Sequence, residues 1–189
     1  MNESSLRREL ALLSQRIWQR GWVANHDGNL SCRLARGRLL CTPTGVSKGA
    51  IEPDALLVID GNGKVLSGSG RPFSELNLHL AYYQTRPDVQ AVVHAHPPTA
   101  TGFGVAGIAL DVPFLPEAVV SLGPGIPTVP LSLPGSDSLQ AATPYLDEHD
   151  ALLLAGNGVL TCGAELEQAY LRLELVEHLA RIALVAHQL

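Results

Sequence analysis

At 189 residues the chain is long enough for one domain that buries about two thirds of its unfolded surface. With 46% apolar and 16% charged residues, a formal net charge of −5 and no run of Lys or Arg, it lacks the footprint of a nucleic-acid partner or a polybasic membrane anchor. The polar start MNESSLRREL, apolar runs that all stop short of about 18 residues, and three scattered cysteines (Cys32, Cys41, Cys162) give the expectation of a single cytoplasmic domain, residues 1–189, with reduced thiols and no disulfide frame.

Leu6, Leu10, Leu13 and Ile17 recur at helical spacing and predict an amphipathic helix over 4–20, ended by Gly21. The turn-rich NHDGNLSCRL then leads into a strand near 29–34, and a second strand near 38–42 ends in the turn TPTG. DGNG between ALLVI (55–59) and 64–66 predicts a hairpin. Ser74 is the expected N-cap of a helix over 75–84, which RPD (86–88) stops. A strand over 89–95 follows, and Pro97-Pro98 opens a helix to about 106. The Pro-rich stretch 112–134 holds one short strand at 127–131. Helix 136–146, strands 151–155 and 158–162 and a long helix 165–187 complete the chain. Interleaved helices and hairpins predict an α/β layered sandwich on a mixed, largely antiparallel sheet.

One strand breaks its own pattern. In AVVHAHPP (91–98) side-chain alternation puts Val92, His94 and His96 on one face and Ala91, Val93 and Ala95 on the other. Two imidazoles side by side at a strand end fit one divalent metal ion, or a pair of hydrogen-bonded core histidines. Glu75, at the start of the preceding helix, is the natural carboxylate partner of such an ion, or else a solvated first-turn residue. His79 lies one turn on, as support for the ligands or as packing. DGNLS, with Gly28, Asn29 and Ser31, and TPTG, with Thr42, Thr44 and Gly45, read as cradles for an anion.

Together GNLS (28–31), TPTG (42–45), SELNLHLAYYQTRPDVQAVVHAHP (74–97) and ALLLAGNGVLTCGAELEQAY (151–170) resemble the class II aldolase/adducin family, with similarity from about residue 5 to 187. The resemblance implies a three-layer α/β/α sandwich and a homotetramer with active sites between subunits. It implies Zn²⁺ or another divalent ion on His94, His96 and a third histidine, with Glu75 beside the metal moving the proton. It also implies a small-molecule phosphate held by Gly28, Asn29, Thr44, Gly45 and Ser74. The expected chemistry is retro-aldol cleavage of a small sugar-derived or hydroxy-carbonyl compound through a metal-stabilised enediolate.

Four departures mark this chain within that pattern. Asn157, in Ala155-Gly156-Asn157-Gly158, stands where the third histidine belongs. It ligates through its carboxamide oxygen with Glu75 and water completing the shell, or His26 substitutes, or the metal binds weakly or not at all. Phe73 stands where the aldolases carry Ser or Thr. The stretch VPFLPEAVV puts Leu115 or Pro116 where the aldolases have a catalytic tyrosine, leaving Glu117 as the candidate acid or as a structural residue at a strand start. The sequence stops at Leu189, short of the aldolases' C-terminal tail and its tyrosine.

The leading expectation is a metal-dependent lyase. Its alternatives are a non-catalytic adducin-head-like assembly protein and an epimerase, dehydratase or decarboxylase using the same cluster. Trp18 and Trp22 read as core or interface, Cys162 as a buried strand residue, and His149, His178 and His187 as exposed. Arg172 and Arg181 are expected to pair with Glu174 and Glu177 on a solvated face. Arg71 is a candidate contact for an anionic substrate.

Overall fold

The computed structural model describes residues 2–110, 115–133 and 136–189. Its centre is an eight-stranded sheet: β1 (Asn29–Arg33), β2 (Leu39–Cys41), β3 (Leu57–Ile59), β4 (Val65–Ser67), β5 (Ala91–Ala95), β6 (Thr128–Val129), β7 (Ala151–Leu154) and β8 (Gly158–Gly163). The strand order is β4-β3-β2-β1-β5-β8-β7-β6. Every neighbouring pair is antiparallel except β6 with β7. The helices are α1 (Glu3–Gln19), α2 (Leu76–Thr85), α3 (Pro98–Ala106), α4 (Pro116–Leu122), α5 (Ser136–Ala142) and α6 (Leu166–Gln188).

Alternation along each strand splits the apolar residues into two cores, one on each face of the sheet. Ala91, Val93, Ala95, Leu30, Cys32 and Val159 pack with α1, α3, α4 and α6. Val92, Leu39, Cys41, Leu152, Leu160 and Cys162 pack with α2 and the residues about α5. The result is the expected helix–sheet–helix sandwich. β5 is buried along its whole length. An apolar side chain buried there contributes about 1.5–3 kcal/mol, so a histidine in this strand displaces real stabilisation.

Several local expectations are corrected. Ser74 is not the N-cap of α2: Glu75 occupies that position, makes no capping hydrogen bond, and receives the Ser74 hydroxyl on its own Oε2 at 2.9 Å. α4 falls within the stretch expected to hold only a strand, because Pro116 opens a helical turn. Glu117 is therefore a first-turn helix residue and not at a strand start. Residues 112–114 of VPFLPEAVV lie outside the described residues. The helix expected over 136–146 gives way at Thr143 to a 3₁₀ turn, Thr143–Tyr145, with Pro144 inside it.

The long helix α6 is less solvated than its charges suggest. Glu177 is 2% exposed and accepts from the Thr99 and Ala100 amides (3.1 and 2.9 Å), the Thr99 hydroxyl (2.9 Å) and Arg181 (2.8 Å). Arg172 pairs with Asp150 (2.5 Å), which also receives Arg86 (2.7 Å), while Glu174 pairs with Arg20. Trp22 is buried, Trp18 is half exposed against Gly49, and His149 is half-buried with its carbonyl taking the Tyr82 hydroxyl.

Candidate active site

His94 and His96 share one face of β5, and their Nε2 atoms lie 3.2 Å apart. His94 Nδ1 is 2.9 Å from the Val159 carbonyl, which can only accept, so Nδ1 carries the proton and Nε2 keeps its lone pair. Burial, and after it the neighbouring His96, push the His94 imidazolium well down, so the ring is neutral at neutral pH. His96 is placed by its amide, which donates to the Trp22 carbonyl at 2.8 Å, and its Nδ1 faces Asp27 Oδ2 at 3.5 Å. Gly158 makes room for it: a Cβ there would lie 2.5 Å from His96 Cδ2 and 2.4 Å from the Ala95 carbonyl oxygen.

Two ring nitrogens held about 2.05 Å from a tetrahedral ion stand about 3.3 Å apart. The observed spacing, the fixed tautomer on His94 and the carbonyl and carboxylate behind the two rings match that demand. Among the described residues no group of three His, Cys, Asp or Glu side chains closes to metal-ligand spacing. Among the described residues the chain therefore brings two imidazoles together, with Glu75 and His26 on the same cleft.

Glu75 joins the pair through β1. Asn29 sits directly across from His94 in the β1–β5 register, and its Nδ2 donates to Glu75 Oε2 at 3.2 Å. With Ser74 on the same oxygen, Glu75 Oε2 is held twice, and Oε1 accepts no hydrogen bond among the described residues. Asn29 Oδ1 is buried without a partner.

These groups line one polar cleft of about 230 Å³ with His26, Asp27, Gly28, Pro43, Thr44, Lys48 and Phe73. Of the expected anion set, Gly28, Asn29, Thr44 and Ser74 line it; Gly45 is exposed beside Thr44, outside the lining. Two residues of the proposed cradles are spent elsewhere. The Thr42 hydroxyl takes the Leu30 amide (3.2 Å), and the Ser31 hydroxyl lies buried between His79 Nδ1 (2.7 Å) and Tyr83 (2.8 Å). His79 is wholly buried under Phe73, ring centres 4.8 Å apart, and burial holds it neutral. His26 lines the cleft from an exposed position. Asn157 lies in the β7–β8 turn next to Gly158, its amide bonded to the Leu154 carbonyl, and is not on the lining. Glu117 and Arg71 are exposed and not on the lining.

The sequence reading missed Asp27 and Lys48. Asp27 adjoins the glycine loop and gave no periodic signal. Lys48 gave one: a lone lysine between apolar Val46 and Ile51. A larger cavity, about 510 Å³, opens beside Asn2, Cys32, Arg33 and Glu165, but it has no imidazole and its buried Cys32 thiol is pushed up to about 12.

Against known proteins, residues 8–184 match the family model described as class II aldolase and adducin N-terminal domain. A 3-oxo-tetronate 4-phosphate decarboxylase of Escherichia coli (strain K12) is 34% identical over 188 residues, 97% of this chain and 88% of that one. An L-fuculose phosphate aldolase of Methanococcus vannielii is 33% identical over 176 residues, 93% of each chain. The crystal structure of YgbL from Escherichia coli superimposes with a TM-score of 0.90 at 34% identity, over 97% of this chain and 90% of that one.

Proposed function

The chain belongs to the class II aldolase and adducin family as one of its enzymes, and from that premise we propose that it is a divalent-metal-dependent lyase that breaks a C–C bond beside a carbonyl in a small phosphorylated sugar-derived acid. The observation that carries this reading is the pair of imidazole nitrogens converging at 3.2 Å beside a carboxylate held in place by Asn29 and Ser74. His94 and His96 hold the ion, with Asn157 through its carboxamide oxygen or Glu75 as a further donor; Zn²⁺ suits the imidazole pair. The ion supplies positive charge beside the oxygen on which negative charge collects as the bond breaks.

Glu75 moves the proton. Its Oε2 is held by Asn29 and Ser74, which leaves Oε1 to deliver or remove a proton at the reacting carbon. Gly28, Thr44 and the Ser74 amide hold the substrate's oxyanion, since the Ser74 hydroxyl is engaged by Glu75, and Asn29 Oδ1 is left to accept from a substrate hydroxyl. Phe73 closes one wall and keeps water from the carbanion.

Decarboxylation is the form this site serves most simply. Carbon dioxide leaves without a proton, and its electron pair passes to the carbonyl oxygen. One acid then protonates the carbon. Retro-aldol cleavage also needs a base to take the β-hydroxyl proton as that oxygen becomes the aldehyde carbonyl, and the cleft lining holds no tyrosine among the described residues. Retro-aldol cleavage is the second reading, supported by the fuculose phosphate aldolase relative. The reading includes a single cytoplasmic domain and a homotetramer; Val120 and Leu131, exposed at 89% and 76%, support a covered face. No described helix is long and apolar enough to cross a membrane.

The test is carbon dioxide release from 3-oxo-tetronate 4-phosphate by protein stripped of metal and reloaded with Zn²⁺, Mn²⁺ or Co²⁺, with aldehyde release from L-fuculose 1-phosphate in parallel. Metal-dependent carbon dioxide release, lost in Glu75→Gln and with metal binding lost in His94→Ala, is the expected result. No product from either substrate with any of the three ions overturns the reading.

A further inference from the structure

The chain has 13 basic residues and only two of them, Lys48 and Lys64, are lysines. Lys64 is exposed, whereas Lys48 is 1% exposed, in the short 3₁₀ turn Lys48–Ala50. Among the described residues Lys48 is also the only lysine or arginine on the lining of the cleft that holds Glu75, His94 and His96. Its Nζ donates to two neutral acceptors, the His26 carbonyl at 3.1 Å and the Val46 carbonyl at 2.9 Å. An ammonium has three donors, so these two leave one over.

No carboxylate lies within 4.0 Å of this ammonium among the described residues. Asp27 is the negative group that acts on it, and Asp27 Oδ2 lies against His96 Nδ1 instead. Burying a cation without a counterion is costly, and a methionine would fill the same stem at no such cost. Apart from Lys48 and the imidazoles of His26, His94 and His96, the lining's donors to an oxyanion are uncharged groups of Gly28, Asn29, Thr44 and Ser74.

We propose that Lys48 is the specificity-determining cation of this cleft, paired in the complex with the anionic end of the substrate, a phosphate monoester or a carboxylate. The missing counterion is then the ligand's own. Substrates without a negative charge at that end leave the ammonium buried and unpaired, and are rejected for that reason. Burial lowers the free ammonium's pKa to about 8, and a bound oxyanion acts in the opposite direction. The inference takes from the lyase reading only which cleft binds substrate, and its test needs no turnover.

Two lysines give two signals when the wild-type protein is labelled with ¹³C at the lysine ε-carbon. Each is titrated with pH alone, with inorganic phosphate, and with threonate, a sugar acid without phosphate. The expected result is that one midpoint, near 8, rises by at least about half a pH unit, a threefold gain in proton affinity, with one of the anions while Lys64 stays put. A shift with phosphate alone identifies a phosphate ester as the partner group, and a shift with threonate alone a carboxylate. Lys48→Met is expected to lose at least about tenfold in affinity for the effective anion with its metal content unchanged. No shift with either anion overturns the proposal, as does a folded Lys48→Met that binds the anion like wild type, since a lysine that merely ties the 26 and 46 loops together predicts both. The wild-type titration decides by itself should the variant not fold. Turnover failing while the shift appears sinks the lyase reading alone; turnover without the shift sinks this one alone.

Discussion

Asn29 faces His94 across the β1–β5 ladder and donates to Glu75, so one carboxamide sets the carboxylate against the imidazole pair. Asn29→Ala is therefore expected to lower kcat about 10- to 100-fold while metal content stays at the wild-type level. Ser74 still holds Glu75 Oε2 in the variant, which is why the loss is partial. Parallel loss of metal and activity would place Asn29 in holding the fold of the site, not in aiming Glu75.

Gly158 is the tightest position around the histidines. Alanine there meets the Ala95 carbonyl oxygen at 2.4 Å and His96 Cδ2 at 2.5 Å, on a backbone with φ +84°. Backbone strain and clash together should cost about 2–4 kcal/mol in urea unfolding. Because the clash bears on His96, metal affinity should fall too, measured by competition with a chromogenic chelator. Gly45→Ala serves as the control: its φ is +75° but nothing lies within 4 Å, so it should lose stability without losing metal affinity.

Glu177 joins α6 to the first turn of α3, the helix that leaves the strand of the histidines. Glu177→Ala strands the Thr99 and Ala100 amides in a buried setting, at about 2–4 kcal/mol. Chemical denaturation reads this directly. Arg181→Ala, on the exposed side of the same pair, should change stability by less than about 1 kcal/mol. Equal losses from the two would show that the ion pair, and not the capping of α3, is what matters.

Acid should destabilise the metal-free protein early. Burial holds His79 and His94 neutral in the fold, whereas unfolded histidine titrates near about 6.5. Below that pH the unfolded chain takes up protons that the folded chain refuses, so stability present above about 6.5 is lost as pH falls. Melting temperature should drop steadily from neutral pH toward pH 5. His79→Asn keeps a polar partner for Ser31 and removes one titrating group, so its slope should be shallower. An unchanged slope would mean His79 is not held neutral.

What the sequence by itself determined is whatever contiguous residues carry. Leu6, Leu10, Leu13 and Ile17 specify α1 through their period, and alternation alone puts His94 and His96 on one face, opposite Ala91, Val93 and Ala95. The quoted motifs were enough to identify the family. What only the tertiary structure decided is which groups of four separate segments, 26–29, 43–48, 73–75 and 94–96, meet in one cleft. Sheet register, a non-local property, puts Asn29 opposite His94 and consumes Thr42 and Ser31 in the interior. The charge of Lys48 was legible in the sequence; its burial on the wall of the cleft that also holds Glu75 was not, because burial depends on what the rest of the chain packs around it.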